Sequence, residues 1–325
     1  FPHNGIDWPG KYEAIQWAFV EFVKKVAKVE DVILIVATEK LKTKVIGMLE
    51  MAHVNTKNVS FIIFKTNRSW MRDSGPIIVK NGTERKALHF NFNGWAKYKN
   101  YKLDKGVPAQ VAHFLNIPLE QVVYNGKPVV VEGGAIDVNG KGTLITSEEC
   151  LLHPSIQVRN AGYSKADYEA VFKTYLGINN VIWLGNGIEG DDTHGHIDDL
   201  ARFVNEDTII TVVETNTKDP NYKPLQENLK RLQTATLETG KKPKIVTLPM
   251  PKRLDFVGVR LPASYANFLI LNKTVLVPTF NDANDRDALN IIAQCFPKRE
   301  IIGINATDFI WGFGTLHCLS QQIPK

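Results

Sequence analysis

The strongest constraint on this chain is a turn that recurs along it. Apolar stretches meet tight turns at Val79-Lys80-Asn81-Gly82, Val138-Asn139-Gly140, Val204-Asn205-Glu206 and Leu271-Asn272-Lys273. The four turn asparagines lie 58, 66 and 67 residues apart, a spacing that points to internal duplication. Asn-Gly between apolar runs predicts a β-hairpin closed by a type I′ turn, because both central residues need positive φ.

The segments after the hairpins are also alike. Helical periodicity is read over 105–115, 164–176, 223–238 and 284–296; in the last, Leu289, Ile292, Cys295 and Phe296 form an apolar stripe. Short apolar strands come next at 122–124, 181–184, 245–248 and 301–304. The N-terminal region fits the same scheme, with helices near 10–28 and 39–52 and strands at 32–36 and 59–64. About five hairpin–helix–strand units fit in the chain. A ring of them, strands inside and helices outside, makes residues 1–325 one α/β domain. The competing reading is an α/β sandwich with coincidental spacing.

Composition narrows the function classes. No apolar run reaches the ~18 residues of a membrane span, and no basic-plus-apolar signal segment opens the chain. The first residue is Phe1 rather than Met, on what reads as the end of a strand, so an opening strand is expected to be missing. Net charge is +5, but the lysines are dispersed, which argues against nucleic acid as a partner. Cys150, Cys295 and Cys318 are too few and scattered for a disulfide framework and fit the cytoplasm. No CxxC or Cys/His zinc spacing occurs, so neither a metal nor another cofactor is expected.

Polar motifs recur just before or at the start of the hairpins: Trp70-Met71-Arg72-Asp73-Ser74-Gly75-Pro76, Glu132-Gly133-Gly134, Asp191 to Asp198, and Gly314-Thr315-Leu316-His317-Cys318. Equivalent strand ends in a closed ring converge on its axis, which turns four distant segments into one pocket. The stretch from Gly185 to Leu200 holds five acids and no Lys or Arg within a basic chain, a local sign reversal suited to a cationic ligand. On a strand, His196 and Asp198 share a face. A solvated acidic turn or a Mn²⁺ or Zn²⁺ site would use the same residues, but no second His/Asp cluster supplies further metal ligands.

A lone cysteine is more often a small buried hydrophobe than a nucleophile, and that reading suits Cys295 and serves equally for Cys150. Cys318 differs because Gly312 and Gly314 permit close backbone approach before it. Its neighbour His317 would face the opposite way on a strand, which leaves His196 as the better base. Cys/His pairing lowers the thiol pKa and supplies a proton shuttle. Alone, Arg72-Asp73 also fits a structural ion pair, and Gly133-Gly134 a bulge.

Together these motifs resemble the agmatine deiminase (bacterial peptidylarginine deiminase-like) family of the guanidine-modifying, or pentein, superfamily. The match includes Phe92-Asn93-Gly94-Trp95, Thr146-Ser147-Glu148-Glu149-Cys150-Leu151-Leu152, Tyr265-Ala266-Asn267-Phe268, Pro278-Thr279-Phe280-Asn281-Asp282 and Leu316-His317-Cys318-Leu319-Ser320-Gln321-Gln322. The sequence departs from the family at Gly312-Phe313-Gly314-Thr315, where a run of three glycines is usual. The resemblance implies a five-bladed α/β propeller of pseudo-fivefold ββαβ-type repeats. It also implies Cys318 as nucleophile, His196 as general acid and base, and Asp73 and Asp198 as a guanidinium clamp. No role is carried over to His194.

A guanidinium is planar and cationic, and carboxylates bind its N–H pairs in bidentate fashion. Glu132 and Asp192 are further candidate holders, and Trp70 could line the aliphatic stem. Agmatine has no carboxylate, so an arginine site should add a cation. On family likeness the expected reaction is agmatine to N-carbamoylputrescine and ammonia, a step of putrescine biosynthesis. The alternatives are an arginine or peptidylarginine deiminase, a metal-dependent ureohydrolase, and a non-catalytic propeller that only binds. The expected partner is a small guanidino molecule, with a homo-oligomer left open.

Overall fold

The computed structural model describes residues 1–324. Five small sheets carry the fold, and four of them have one pattern: a short antiparallel hairpin whose second strand pairs in parallel with a strand lying beyond an intervening helix. These are Ile77–Asn81, Glu84–His89 and Leu119–Gln121; Asp137–Val138, Thr143–Ser147 and Asn180–Leu184; Ala201–Phe203, Thr208–Val213 and Lys244–Pro249; and Leu269–Ile270, Thr274–Thr279 and Glu300–Asn305. The fifth, nearest the N-terminus, pairs Val32–Val36 in parallel with Val59–Ile63. The duplication read from the turns is thus present as a structural repeat. Two further two-residue ladders join Val123–Tyr124 to Lys127–Pro128 and Asp255–Phe256 to Val259–Arg260.

The intervening helices are Glu39–Met51, Val107–Leu115, Lys165–Leu176, Tyr222–Thr234 and Asp285–Cys295, close to their expected bounds, and Tyr12–Val26 precedes the first sheet. Lys165–Leu176 shows why one boundary was legible. Ser164 and Asp167 form a reciprocal capping box at its start, and Gly177 at φ 68° ends it in the left-handed region. No helix among the described residues is long and apolar enough to cross a membrane.

Two details differ from expectation. The parallel strand of the second unit is Leu119–Gln121, because residues 123–124 leave it for a hairpin of their own. The Asn-Gly turns are also not type I′: Gly82 and Gly140 have positive φ, but Asn81 and Asn139 do not. Asn139 acts through its side chain instead, its Oδ1 accepting from Lys141 N at 2.8 Å and Thr143 N at 3.0 Å. Asn205 repeats this arrangement, taking Asp207 N at 3.0 Å and Thr208 N at 2.9 Å. An Asx turn closes these two loops, whereas Asn272 bonds Glu30, its N donating to Oε1 at 2.7 Å and its Nδ2 to Oε2 at 2.9 Å.

The repeat also sets where chemistry can sit. Short helical turns at Met71–Ser74, Gly133–Ala135 and Ile197–Asp199 each lead into the opening strand of a hairpin, and Asn267 stands just ahead of Leu269–Ile270.

Candidate active site

The segment bearing Cys318 is a turn and not a strand: Leu319 N donates to Thr315 O at 3.2 Å and Ser320 N to His317 O at 3.1 Å. Strand alternation therefore does not apply, and His317 faces the same carboxylate as Cys318. His317 Nδ1 lies 2.7 Å from Asp198 Oδ2, and Cys318 Sγ donates to the same oxygen at 3.7 Å. His317, set aside on strand geometry, belongs to the site. Burial, followed by Arg202 and Arg72, pushes its pKa well below the usual histidine range. That direction favours a neutral imidazole, whose Nδ1 is placed to donate to Asp198.

Three residues hold this turn. Arg72 N donates to Cys318 O at 3.1 Å, and Arg72 Nε to His317 O at 3.2 Å. Its Nη1 reaches Gln321 Oε1 at 2.5 Å and also Gln322. Asn267, fully buried, donates Nδ2 to Cys318 Sγ at 3.1 Å and to Asp199 Oδ1 at 3.0 Å. Its Oδ1 accepts from Thr315 Oγ1 at 2.6 Å and His317 N at 3.1 Å. The third holder is Trp70. A Cβ on Gly314 would lie 2.7 Å from the Trp70 ring and 3.0 Å from Cys318 Cβ, and one on Gly312 would lie 2.6 Å from Trp8. Both glycines are needed for the aromatic rings to close on the Cys318 loop. The Trp8 and Trp70 rings stack at 5.2 Å.

Asp73 is fixed from two sides, its Oδ1 accepting from Gly134 N at 3.1 Å and its Oδ2 from Trp95 Nε1 at 2.9 Å. Its Oδ1 stands 3.9 Å from His196 Nδ1. The other ring nitrogen, Nε2, stands 3.9 Å from Glu132 Oε2. A Cβ on Gly134 would lie 2.5 Å from His196 Nδ1, so only glycine lets imidazole and Asp73 approach there. Glu132 Oε1 takes Arg159 Nε at 3.0 Å, both side chains being essentially inaccessible.

His196 and Asp198 reach the site by a route other than a strand. Asp191 Oδ2 accepts from Gly195 N at 2.7 Å and His196 N at 2.9 Å. The chain then makes the 3₁₀ turn Ile197–Asp199, and the strand begins only at Ala201. His196 has side-chain polar contacts with Asp73, Glu132 and Cys150, while those of Cys318 are with Asp198 and Asn267. Asp73 acts electrostatically on both groups.

The site's charges are set by its burial. For Cys318, burial and then Asp198, Asp199 and Asp73 push the thiol pKa well above the usual range. This differs from the expectation of a lowered thiol, since burial and the carboxylates of Asp198, Asp199 and Asp73 act on the sulfur. For His196, burial opposes the cation, but Asp73, Cys150 and Glu132 outweigh it and raise the pKa well above normal. Burial likewise opposes the Glu132 charge, but Arg159 and His196 hold the carboxyl down to about 2. Burial raises Asp73 and lifts Asp198 to about 6, against His196, Arg202 and Arg72. Four of the buried side-chain atoms without a hydrogen-bond partner among the described residues belong to this site: Glu132 Oε2, His196 Nε2, Asp198 Oδ1 and Arg72 Nη2. Unpaired buried polar atoms are costly, and their clustering marks a place built for a ligand.

Asp192 lies further out, its carboxylate paired with Lys97 and accepting from Tyr98 OH at 2.7 Å. Gln157 Nε2 ties its carbonyl at 3.2 Å to the Trp95 carbonyl at 3.1 Å. Sequence reasoning assigned no role to Asn267, Arg159, Trp95 or Cys150. For Asn267 the repeat itself was the missed signal: it occupies the position before a hairpin that Asp73, Glu132 and Asp198 occupy in their own units.

The chain is similar to known proteins over its whole length. The C. jejuni agmatine deiminase, solved as a cysteine-to-serine variant with substrate bound, is 34% identical with a TM-score of 0.86, covering 97% of this chain and 89% of that one. The Enterococcus faecalis agmatine deiminase, solved catalysing its reaction, is 29% identical with a TM-score of 0.90, covering 100% of this chain and 91% of that one. A relative from Marinomonas sp. (strain MWYL1), provisionally named agmatine deiminase, is 32% identical over 348 residues, covering 100% of this chain and 90% of its own. The family described as Porphyromonas-type peptidyl-arginine deiminase matches residues 1–324, and this chain belongs to it.

Proposed function

We propose that this chain is an agmatine deiminase, hydrolysing agmatine to N-carbamoylputrescine and ammonia. One observation carries the reading: the unpartnered buried oxygens of Glu132 and Asp198 lie in a site whose thiol and imidazole both feel the charge of Asp73. A planar cation satisfies such oxygens with paired N–H donors. The full-length likeness to agmatine deiminases supplies the substrate.

In this reading Asp73 and Asp198 clamp the guanidinium, with Glu132 as a further holder and Trp70 as a wall beside the reacting carbon. Bringing a cation among these carboxylates offsets the field that keeps Cys318 protonated, so substrate binding itself favours the thiolate, the thiol proton passing to solvent and being regained when the thiolate is released. The sulfur adds to the central carbon, and His196, cationic in the free site, delivers a proton to the departing nitrogen. The C–N bond breaks and ammonia leaves, with an amidino-thioether on Cys318. Neutral His196 then takes a proton from water, the hydroxyl adds to the same carbon, and the C–S bond breaks to release the urea-type product. Proton transfer by one positioned group contributes about 10²–10⁴-fold.

We read the five sheets as five blades of one α/β propeller domain, which their shared strand pattern supports. The three free cysteines support a cytoplasmic setting. Product analysis with agmatine and arginine side by side tests the function. Ammonia and N-carbamoylputrescine from agmatine are expected, whereas urea and putrescine would indicate a ureohydrolase and preference for arginine the sister activity. Cys318→Ala should lower turnover by about 10⁴-fold or more; near-normal turnover would sink the mechanism.

A further inference from the structure

Cys150 has no part in the proposed reaction, yet it stands against the imidazole that does. It lies on the short helix Glu148–Leu152, whose start is fixed by Ser147 Oγ accepting from Cys150 N at 3.1 Å. It is a free thiol, 1% exposed. One ligand-type atom from each of Glu132, Cys150 and His196 lies within 4.8 Å of the other two. Two of the donors, Glu132 Oε2 and His196 Nε2, are buried without a hydrogen-bond partner and face each other at 3.9 Å.

We infer that Glu132, Cys150 and His196 form a latent site for a zinc-type divalent cation, whose occupancy takes the His196 imidazole out of proton transfer. The donor set is sulfur, imidazole nitrogen and carboxylate oxygen, which suits zinc or cobalt and not magnesium or calcium. The surroundings fit as well. His196 Nε2 faces the cluster while Nδ1 stands 3.9 Å from Asp73 Oδ1, on the side from which a carboxylate orients a metal-bound imidazole once the two close to hydrogen-bond distance. Glu132 keeps Arg159 on Oε1, which leaves Oε2 free to bind. Charge balances too. Binding releases two protons to solvent, that of the Cys150 thiol and the Nε2 proton of the cationic His196; the ion, Arg159 and the anionic Cys150, Glu132 and Asp73 then sum to zero around a neutral imidazole. Three protein donors leave a fourth position for water. The inhibitory consequence rests on the deiminase reading, but the binding does not.

Cobalt(II) is the probe, because thiolate ligation gives it a sulfur-to-metal charge-transfer absorption. The full chain carrying Cys295→Ala and Cys318→Ala keeps Cys150 as its only cysteine, since the sequence has three. Titrated with Co²⁺ and no substrate, it should develop the band at one ion per chain. Zn²⁺ should displace the cobalt and Mg²⁺ should not. The Cys150→Ser chain should lose the band, while Cys318→Ala keeps it. Absence of the band in the chain with only Cys150 overturns the inference. So does a band of wild-type intensity in Cys150→Ser, which would move the metal to Cys318, and so does displacement by Mg²⁺. Circular dichroism monitors folding: if either variant unfolds, the other comparison decides alone. Because no substrate is present, failure here leaves the deiminase reading standing, and failure of the product assay leaves this site standing.

Discussion

Around Cys318 most polar partners are already engaged: Asn267 uses both ends of its amide, Arg72 binds the local carbonyls, and His317 donates to Asp198. Around His196 the reverse holds, with its own Nε2 and Glu132 Oε2 facing each other unpaired. The first region is a cradle that fixes one sulfur, and Asp198 Oδ1 is its open acceptor. The second is a set of charges whose balance changes when a cation enters. Positioning needs satisfied bonds, because each locks a rotamer. Proton transfer needs groups that two partners can share in turn. A site that did both with the same residues would have to break its scaffold at every turnover.

Mutations on either side should sharpen that division. The largest effect is expected for His196→Gln, which keeps the ring's approximate bulk but cannot shuttle a proton. Steady-state ammonia release should fall by about 10²–10⁴-fold, with little change in KM; a rise in KM alone would make His196 a binding group. Next is Glu132→Gln, which strands the buried Arg159 cation and should cost about 3–5 kcal/mol of unfolding free energy at neutral pH, read by urea denaturation. This variant also carries a pH signature. The Glu132 carboxyl is held down to about 2 from 4.5, so its ionised form stabilises the fold above about pH 4.5, and that contribution is lost as pH falls toward 2. The variant should lose less stability than the wild type over that acid range.

On the Cys318 side, Asn267→Ala leaves Asp199 and the Thr315 hydroxyl without a partner inside the protein. A loss of about 1–3 kcal/mol is expected by denaturation, and iodoacetamide should titrate Cys318 with an altered profile. Unchanged stability would mean that the cradle is held by Arg72 alone. The smallest effect concerns the outer group. Lys97→Met frees the Asp192 carboxylate from a partly exposed ion pair worth about 0.2–1 kcal/mol. If Asp192 helps to hold a cationic group, KM for agmatine should fall by about twofold to fivefold; an unchanged KM removes Asp192 from recognition.

Much of the fold was legible because its unit repeats. Asparagines at near-constant spacing mark loops, and helical stripes and apolar strands between them need only local periodicity. What two of those asparagines do was not legible, since the Asx bonds of Asn139 and Asn205 depend on where the following N–H groups point. Period-two reasoning failed at His196–Asp198 and at His317–Cys318 for one cause. Both stretches are turns held by distant partners, Asp191 in one case and Arg72 with Asn267 in the other.

Residue identity and order thus determined the repeat and the family, and singled out Cys318, His196, Asp73 and Asp198 as candidates for the site. Packing alone decided what surrounds them. It brought His317 to Asp198, Asn267 to the sulfur and Cys150 to the imidazole, and it turned the expected low-pKa thiol into one held protonated. The physical reason is that pKa and hydrogen bonding depend on burial and on charges from segments far apart in sequence. Cys318 and Asp198 are 120 residues apart, yet the thiol donates to that distant carboxylate oxygen.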